Sequence, residues 1–101
     1  MKNQAGENGF IIGEADKTVV ILKLLAEKNR LKIIFILKNG EHCACEIIRY
    51  LGLPQNLVSH HLNRLRMADL IQGRKEGSWV HYSLTDKGRK AFEVVSQLNL
   101  N

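Results

Sequence analysis

The sequence predicts a mainly α chain carrying one β-hairpin, and three observations support that prediction. Helical apolar spacing occupies the stretches on both sides of Leu53-Pro54. Two β-rich runs flank Lys75-Glu76-Gly77-Ser78, a loop containing glycine. A last amphipathic stretch follows Thr85, a residue suited to capping a helix. With 101 residues the chain is expected to form one domain, 14–101. A flexible N-terminal arm is expected over 1–13, where Gly6, Gly9 and Gly13 interrupt a stretch of little periodicity.

Taken in order, Asp16 is placed to cap a first helix running to Ala26, with Val19, Val20, Leu22 and Leu24 among its apolar residues. Glu27-Lys28-Asn29 reads as a corner. A second helix then spans Arg30 to Lys38 and stops at Asn39-Gly40. Its centre, Ile33-Ile34-Phe35-Ile36-Leu37, would read as a buried strand in isolation, and context makes it helix. A short helix from Ala44 to Leu51 turns Ile47, Ile48 and Leu51 inward and ends at Gly52. Leu53-Pro54 forms the turn into a fourth helix, Gln55 to Ala68. Strands Leu70 to Arg74 and Trp79 to Leu84 make the hairpin, with Val80, Tyr82 and Leu84 on its inner face and Trp79 and His81 on the other. The last helix, Asp86 to Leu98, carries Ala91, Phe92, Val95 and Leu98 on one side. This order, α-α-α-α-β-β-α, is that of a winged helix-turn-helix.

No apolar run is long enough to cross a bilayer, and Met1-Lys2-Asn3-Gln4 lacks a signal-peptide core, so a cytoplasmic location is expected. The net charge is +5. Between Glu46 and Lys90 eight basic residues (Arg49, Arg64, Arg66, Arg74, Lys75, Lys87, Arg89, Lys90) face four acids, Glu46, Asp69, Glu76 and Asp86. Such a field suits a polyanionic partner. No nucleophile–base pair and no phosphate-cradling glycine loop is present, so the sequence does not read as an enzyme.

On the fourth helix Val58, Leu62 and Leu65 cluster in one arc and must face the core. Gln55, Asn56, Ser59, His60 and Asn63 share a separate arc that holds neither Glu nor Lys. Short side chains that both donate and accept match the edges of base pairs in the major groove. Arg64 and Arg66 flank that arc and suit phosphate contacts, which set register without reading sequence. Arg74 and Lys75, expected at the hairpin tip, would touch backbone phosphate or an adjacent minor groove. His61 sits beside the core arc and is read as a packing residue.

The two cysteines, Cys43 and Cys45, are separated by one residue. A structural disulfide there would close a very short loop under strain, so free thiols, metal ligands or redox-active groups are expected.

Leu24-Leu25-Ala26-Glu27-Lys28-Asn29-Arg30-Leu31-Lys32-Ile33, the box Glu41-His42-Cys43-Ala44-Cys45-Glu46, the segment Leu51-Gly52-Leu53-Pro54-Gln55-Asn56-Leu57-Val58-Ser59-His60-His61-Leu62 and the hairpin Arg74 to Tyr82 together resemble the ArsR/SmtB family of metal- and metalloid-responsive repressors. The resemblance covers Leu24 to Leu84. It implies a winged helix-turn-helix repressor that binds double-stranded DNA and has Cys43 and Cys45 as metal ligands. Three departures stand out: no proline near Asn29, Ile48 where some arsenic sensors carry a third cysteine, and no cysteine in the N-terminal arm. The last helix has no histidine, so the zinc and cobalt site of other members is expected to be absent; Asp86 and Glu93 alone make a poor zinc site.

Two thiolates favour soft ions, with As(III) or Sb(III) the best match and Cd(II), Pb(II), Hg(II) and Cu(I) the alternatives. A third ligand would come from His42, the other subunit or a small thiol, and no cofactor is required for folding. Residues i and i+2 of a regular helix point apart, so chelation is expected to need a non-helical start to the helix near Cys43. Apolar stripes left over on the first and last helices predict a homodimer and an inverted-repeat operator. Two other readings remain: a winged-helix repressor whose cysteines sense oxidants or reactive sulfur or are only structural, and a metal-trapping or protein-interaction module that binds no operator.

Overall fold

A computed structural model of the chain describes residues 2–99, without the side chains of 2–8 and 10. Residues 1, 100 and 101, the outer ends of the expected arm and domain, lie outside the described residues. The elements are α1 (Lys2–Leu25), α2 (Lys28–Leu37), β1 (His42–Cys43), α3 (Ala44–Leu51), α4 (Gln55–Met67), β2 (Ile71–Glu76), β3 (Trp79–Leu84) and α5 (Asp86–Ser96). The expected order is present with one addition. β1 pairs antiparallel with β3, His42 opposite Tyr82 and Cys43 opposite His81, so the hairpin becomes a three-stranded sheet ordered β1-β3-β2. Two residues are too few for alternation to show in a sequence.

α1 differs most from expectation. Its helix begins at Lys2, so the stretch read as an arm forms its first turns and Asp16 lies inside the helix instead of capping it. Glycine weakens a helix by about 1 kcal/mol relative to alanine without forbidding it. Ile11 and Ile12 on these turns are exposed. α2 also starts earlier than Arg30, because the Glu27 carboxylate accepts the Arg30 N–H at 2.9 Å and takes the cap position. The run that could have been a strand is helical, with Ile33, Ile34 and Leu37 buried.

The core joins Leu24 and Leu25 of α1 to those three residues, Ile47 of α3, Val58, Leu62 and Leu65 of α4, and Leu70, Ile71 and Leu84 around the sheet. Burying each such aliphatic side chain stabilises the fold by about 1.5–3 kcal/mol before entropy is counted. Gly52, at φ 65°, ends α3 in the left-handed region that glycine adopts without steric cost. Pro54 then heads α4, its carbonyl accepting from Leu57 and Val58 at 3.1 Å.

The wing is tighter than the expected four-residue loop. Lys75 and Glu76 belong to β2 and pair with Val80 and Trp79, leaving Gly77-Ser78 as a two-residue turn with Gly77 at φ 63°. Positive φ at such a turn matches the right-handed twist of the strands. Thr85 caps α5 as expected, accepting from the Gly88 N–H at 3.0 Å while donating to the Asp69 carbonyl at 2.6 Å. That helix stops at Ser96, so Leu98 lies beyond it, exposed.

Candidate nucleic-acid interface and the cysteine pair

α4 is held by its apolar arc, Val58, Leu62 and Leu65, together with the buried His61. Gln55, Asn56, Ser59, His60 and Asn63 are all exposed on the other side, next to the turn that follows α3. Arg66 donates to the Asn63 carbonyl oxygen at 2.7 Å, and the Asn63 amide lies 3.6 Å from the Met67 sulfur. Met67 is a residue that sequence reasoning did not place: it is 73% exposed, falls within the same polar arc and borders the concave surface toward α1. The wheel already placed it there, but a methionine near a helix end reads as core. Arg64 is exposed on the flank facing α1, where it shares a concave surface with Lys23, Leu24 and Arg30.

On the wing Lys75 is exposed and makes no ion pair among the described residues. Arg74 is engaged. Its guanidinium donates to both carboxylate oxygens of Glu41, at 2.6 and 3.2 Å, and to Glu76 at 3.2 Å. The hydrogen bond from Arg74 holds the Glu41 carboxyl below its ordinary value, and the two carboxylates raise the Arg74 pKa. A phosphate would have to displace Glu41 or Glu76 to reach Arg74. The same contact ties β2 to the residue just before β1.

Behind α4, the buried His61 ring accepts from Arg30 Nη1 at 3.3 Å through Nδ1. Arg can only donate, so the ring proton sits on Nε2. Burial pushes His61 below its ordinary value of 6.5, Glu27 opposes this, and the nearby Arg30 and Arg64 guanidinium groups reinforce it. Glu27, 3.8 Å away, therefore faces a neutral imidazole at neutral pH. Because the folded pKa is depressed, the unfolded chain takes up the proton first. Stability from this site is complete above the unfolded value and falls as pH drops below about 6.5, levelling at the folded pKa. Denaturation midpoints should therefore be lower at pH 5.5 than at pH 7.5, and His61→Asn should flatten that difference.

Cys43 is the N-cap of α3, extended at ψ 146°, so the helix starts at Ala44. Its own N–H donates to Glu46 at 2.8 Å, and its sulfur accepts the Cys45 N–H at 3.1 Å. The two sulfurs are joined as a disulfide, which is not the free-thiol alternative among those expected and leaves the redox-active one open. The Cα atoms lie 5.2 Å apart, within reach of a bridge, and the extended cap at Cys43 turns its side chain toward that of Cys45, as it could not inside the helix. Cys43 is buried and Cys45 half-buried. His42 does not join them. Its Nδ1 bonds the Gly40 carbonyl at 2.8 Å, its ring meets Tyr50, and no three His, Cys, Asp or Glu side chains converge among the described residues. Among the described residues no helix is long and apolar enough to cross a membrane.

The family described as bacterial regulatory protein, arsR family, matches residues 27–72, from the start of α2 to the start of β2. An HTH-type transcriptional regulator of Methanocaldococcus jannaschii is 38% identical over 85 residues, 82% of this chain and 96% of that protein. The arsenical resistance operon repressor of Escherichia coli is 40% identical over 68 residues, 66% of this chain and 58% of that longer protein. Among solved structures, reduced HlyU from Vibrio cholerae superposes with a TM-score of 0.78 at 34% identity, covering 90% of this chain and 97% of that one. With its reading helix, wing and relatives all in agreement, the chain belongs to the arsR family of winged helix-turn-helix, DNA-binding transcriptional regulators, which are not enzymes.

Proposed function

We propose that the chain is a homodimeric repressor that binds an inverted-repeat operator and leaves it when a soft metal(loid) ion, As(III) first, engages Cys43 and Cys45. The observation that carries the DNA-binding part is the exposed face of α4, where Gln55, Asn56, Ser59, His60 and Asn63 stand together. Arg64, Arg66 and Lys75 are the phosphate contacts, with Arg74 a contact only once its carboxylate partners release it. The dimer rests on apolar residues left open along α1 and α5, Val19, Leu22 and Val94, with Leu98 just beyond α5, beside a groove lined by Ile21, Leu25 and Ala91. Pairing them across a two-fold axis sets the two reading helices on half-sites about 34–36 Å apart, or a multiple of that.

The ion part rests on two sulfurs brought together at the start of α3. Two sulfurs with no converging third ligand favour an ion content with few soft ligands, and arsenical resistance repressors among the relatives point the same way. An ion there rearranges a segment tied to both contact elements, since Cys43 pairs with His81 of β3 and α3 runs directly into the turn before α4. A preference of about 3 kcal/mol for the rearranged state weakens DNA binding about a hundredfold. A second reading, sensing of oxidants or reactive sulfur, is favoured by one observation: the sulfurs already stand as a disulfide.

Fluorescence anisotropy on a labelled duplex from upstream of the chain's own gene tests the proposal. With a reductant present, so that the Cys43–Cys45 bond is opened to two thiols, binding is expected with two chains per duplex, a salt slope reporting several phosphates, and release by arsenite. Asn56→Ala should lower affinity for that duplex by about 1–3 kcal/mol and leave binding to unrelated duplexes unchanged. Lys75→Ala should weaken both alike and reduce the salt slope by about one. A monomer at micromolar concentration by light scattering, or affinity indifferent to salt, would overturn it.

A further inference from the structure

We propose that Arg30 and His61 form a polar anchor that sets the rotation of the reading helix, making them positioning residues for operator discrimination. This rests on the DNA-binding role of α4. His61 lies on the side of α4 opposite Asn56 and Asn63, where it is 5% exposed. Its neighbours on that side, Val58, Leu62 and Leu65, are aliphatic. Aliphatic packing sets how deeply the helix sits and roughly which way it faces, but the hydrophobic drive behind it has no preferred direction at a single atom. A hydrogen bond is directional. The only side-chain hydrogen bond from the buried face of α4 among the described residues is the one His61 accepts from Arg30 at 3.3 Å.

Arg30 is itself fixed at both ends. Its Nε donates to the Leu24 carbonyl at 2.7 Å, satisfying one of the carbonyls left open at the end of α1. Its backbone N–H donates to Glu27 at 2.9 Å, and the other Glu27 oxygen accepts from Asn29. One guanidinium thus joins the last turn of α1, the first turn of α2 and the back of α4. Every side chain of the reading face turns with α4, so an error in its rotation displaces all base contacts together. The phosphate contact from Lys75 on the wing does not turn with α4, and Arg64 and Arg66, which do, have long side chains that can follow a phosphate through a small rotation.

The test uses two duplexes: one that the wild-type chain enriches from a randomised pool, and a shuffled duplex of equal length and composition. Affinities for both are measured well below the melting temperature of each variant, with melts recorded in parallel. His61→Leu fills the site without an acceptor; His61→Asn restores an acceptor close to the position of Nδ1. His61→Leu is expected to lose about tenfold or more in discrimination, a change of about 1.4 kcal/mol, with shuffled-duplex affinity and salt slope unchanged. His61→Asn is expected to keep discrimination within about twofold. A merely structural histidine would shift the melts and leave the ratio alone. Discrimination by His61→Leu equal to wild type overturns the anchor. Failure of the wild-type chain to enrich any duplex overturns the DNA-binding reading beneath it and the anchor with it, so the two failures are distinguishable.

Discussion

Gly88→Ala is expected to destabilise the chain by about 3 kcal/mol or more, the largest effect of a methyl added at any of the described glycines. A Cβ at this position in α5 would lie 1.9 Å from the Leu70 carbonyl oxygen and 3.0 Å from its carbon. A side-chain tip could swing aside, but this is backbone. The same carbonyl accepts the Thr85 N–H at 3.1 Å, and the Leu70 N–H donates to Leu65 at 3.1 Å, so the strand start is held on both sides. In a domain of this size 1 kcal/mol moves the melting temperature by about 4–8 °C, which puts the expected loss above about 10 °C. Gly13→Ala supplies the control. Nothing lies within 4 Å of a Cβ there and the residue is helical, so alanine should be neutral or stabilise by up to about 1 kcal/mol. A Gly88→Ala melt within about 3 °C of wild type would mean that α5 does not approach Leu70 this closely.

Gly88 illustrates what a sequence cannot show. Helical propensity marks it only as a weak point in α5, whereas its role comes from Leu70, eighteen positions away. The reading face of α4 was legible for the opposite reason: the angular relation of Gln55, Asn56, Ser59, His60 and Asn63 follows from helix geometry alone, and only the direction of the core had to be inferred from Val58, Leu62 and Leu65. Met67 lay in the same arc and was hidden by its residue type. β1 and the Glu41–Arg74 contact depend on which segments meet across thirty or more residues, so Arg74 was expected as a free phosphate contact when two carboxylates hold it. The cysteine spacing did indicate that Cys43 must leave the helix. It also indicated that this brings the two sulfurs together; what it did not show is that they stand as a disulfide. α1 was cut short at Gly13 since local propensity outweighed helical hydrogen bonding in the inference and not in the fold.

Cys43→Ser should abolish arsenite-driven release, a change of about a hundredfold in DNA affinity under inducer, while leaving affinity without inducer within about threefold of wild type. Serine is a preferred N-cap, so its hydroxyl can accept the N–H that the Cys43 sulfur now accepts and the start of α3 is preserved. Cys43→Ala removes the cap as well and should cost about 1 kcal/mol in stability, which separates the loss of sulfur from the loss of helix start. Cys45→Ser, inside the first turn, should reproduce the loss of release without touching the cap. Redox control decides between the two readings of the pair. If the wild-type chain, kept reduced, leaves its duplex on adding arsenite, the ion is the signal. If arsenite does nothing to the reduced chain and a thiol oxidant releases it in a way reversed by reductant, the disulfide is the signal. Either result runs through the same geometry, because Cys43 is at once a strand partner of His81 in the wing sheet and the cap of the helix leading to the reading helix. Release by arsenite that survives Cys43→Ser would sink both, since no other soft ligand lies next to Cys45 among the described residues.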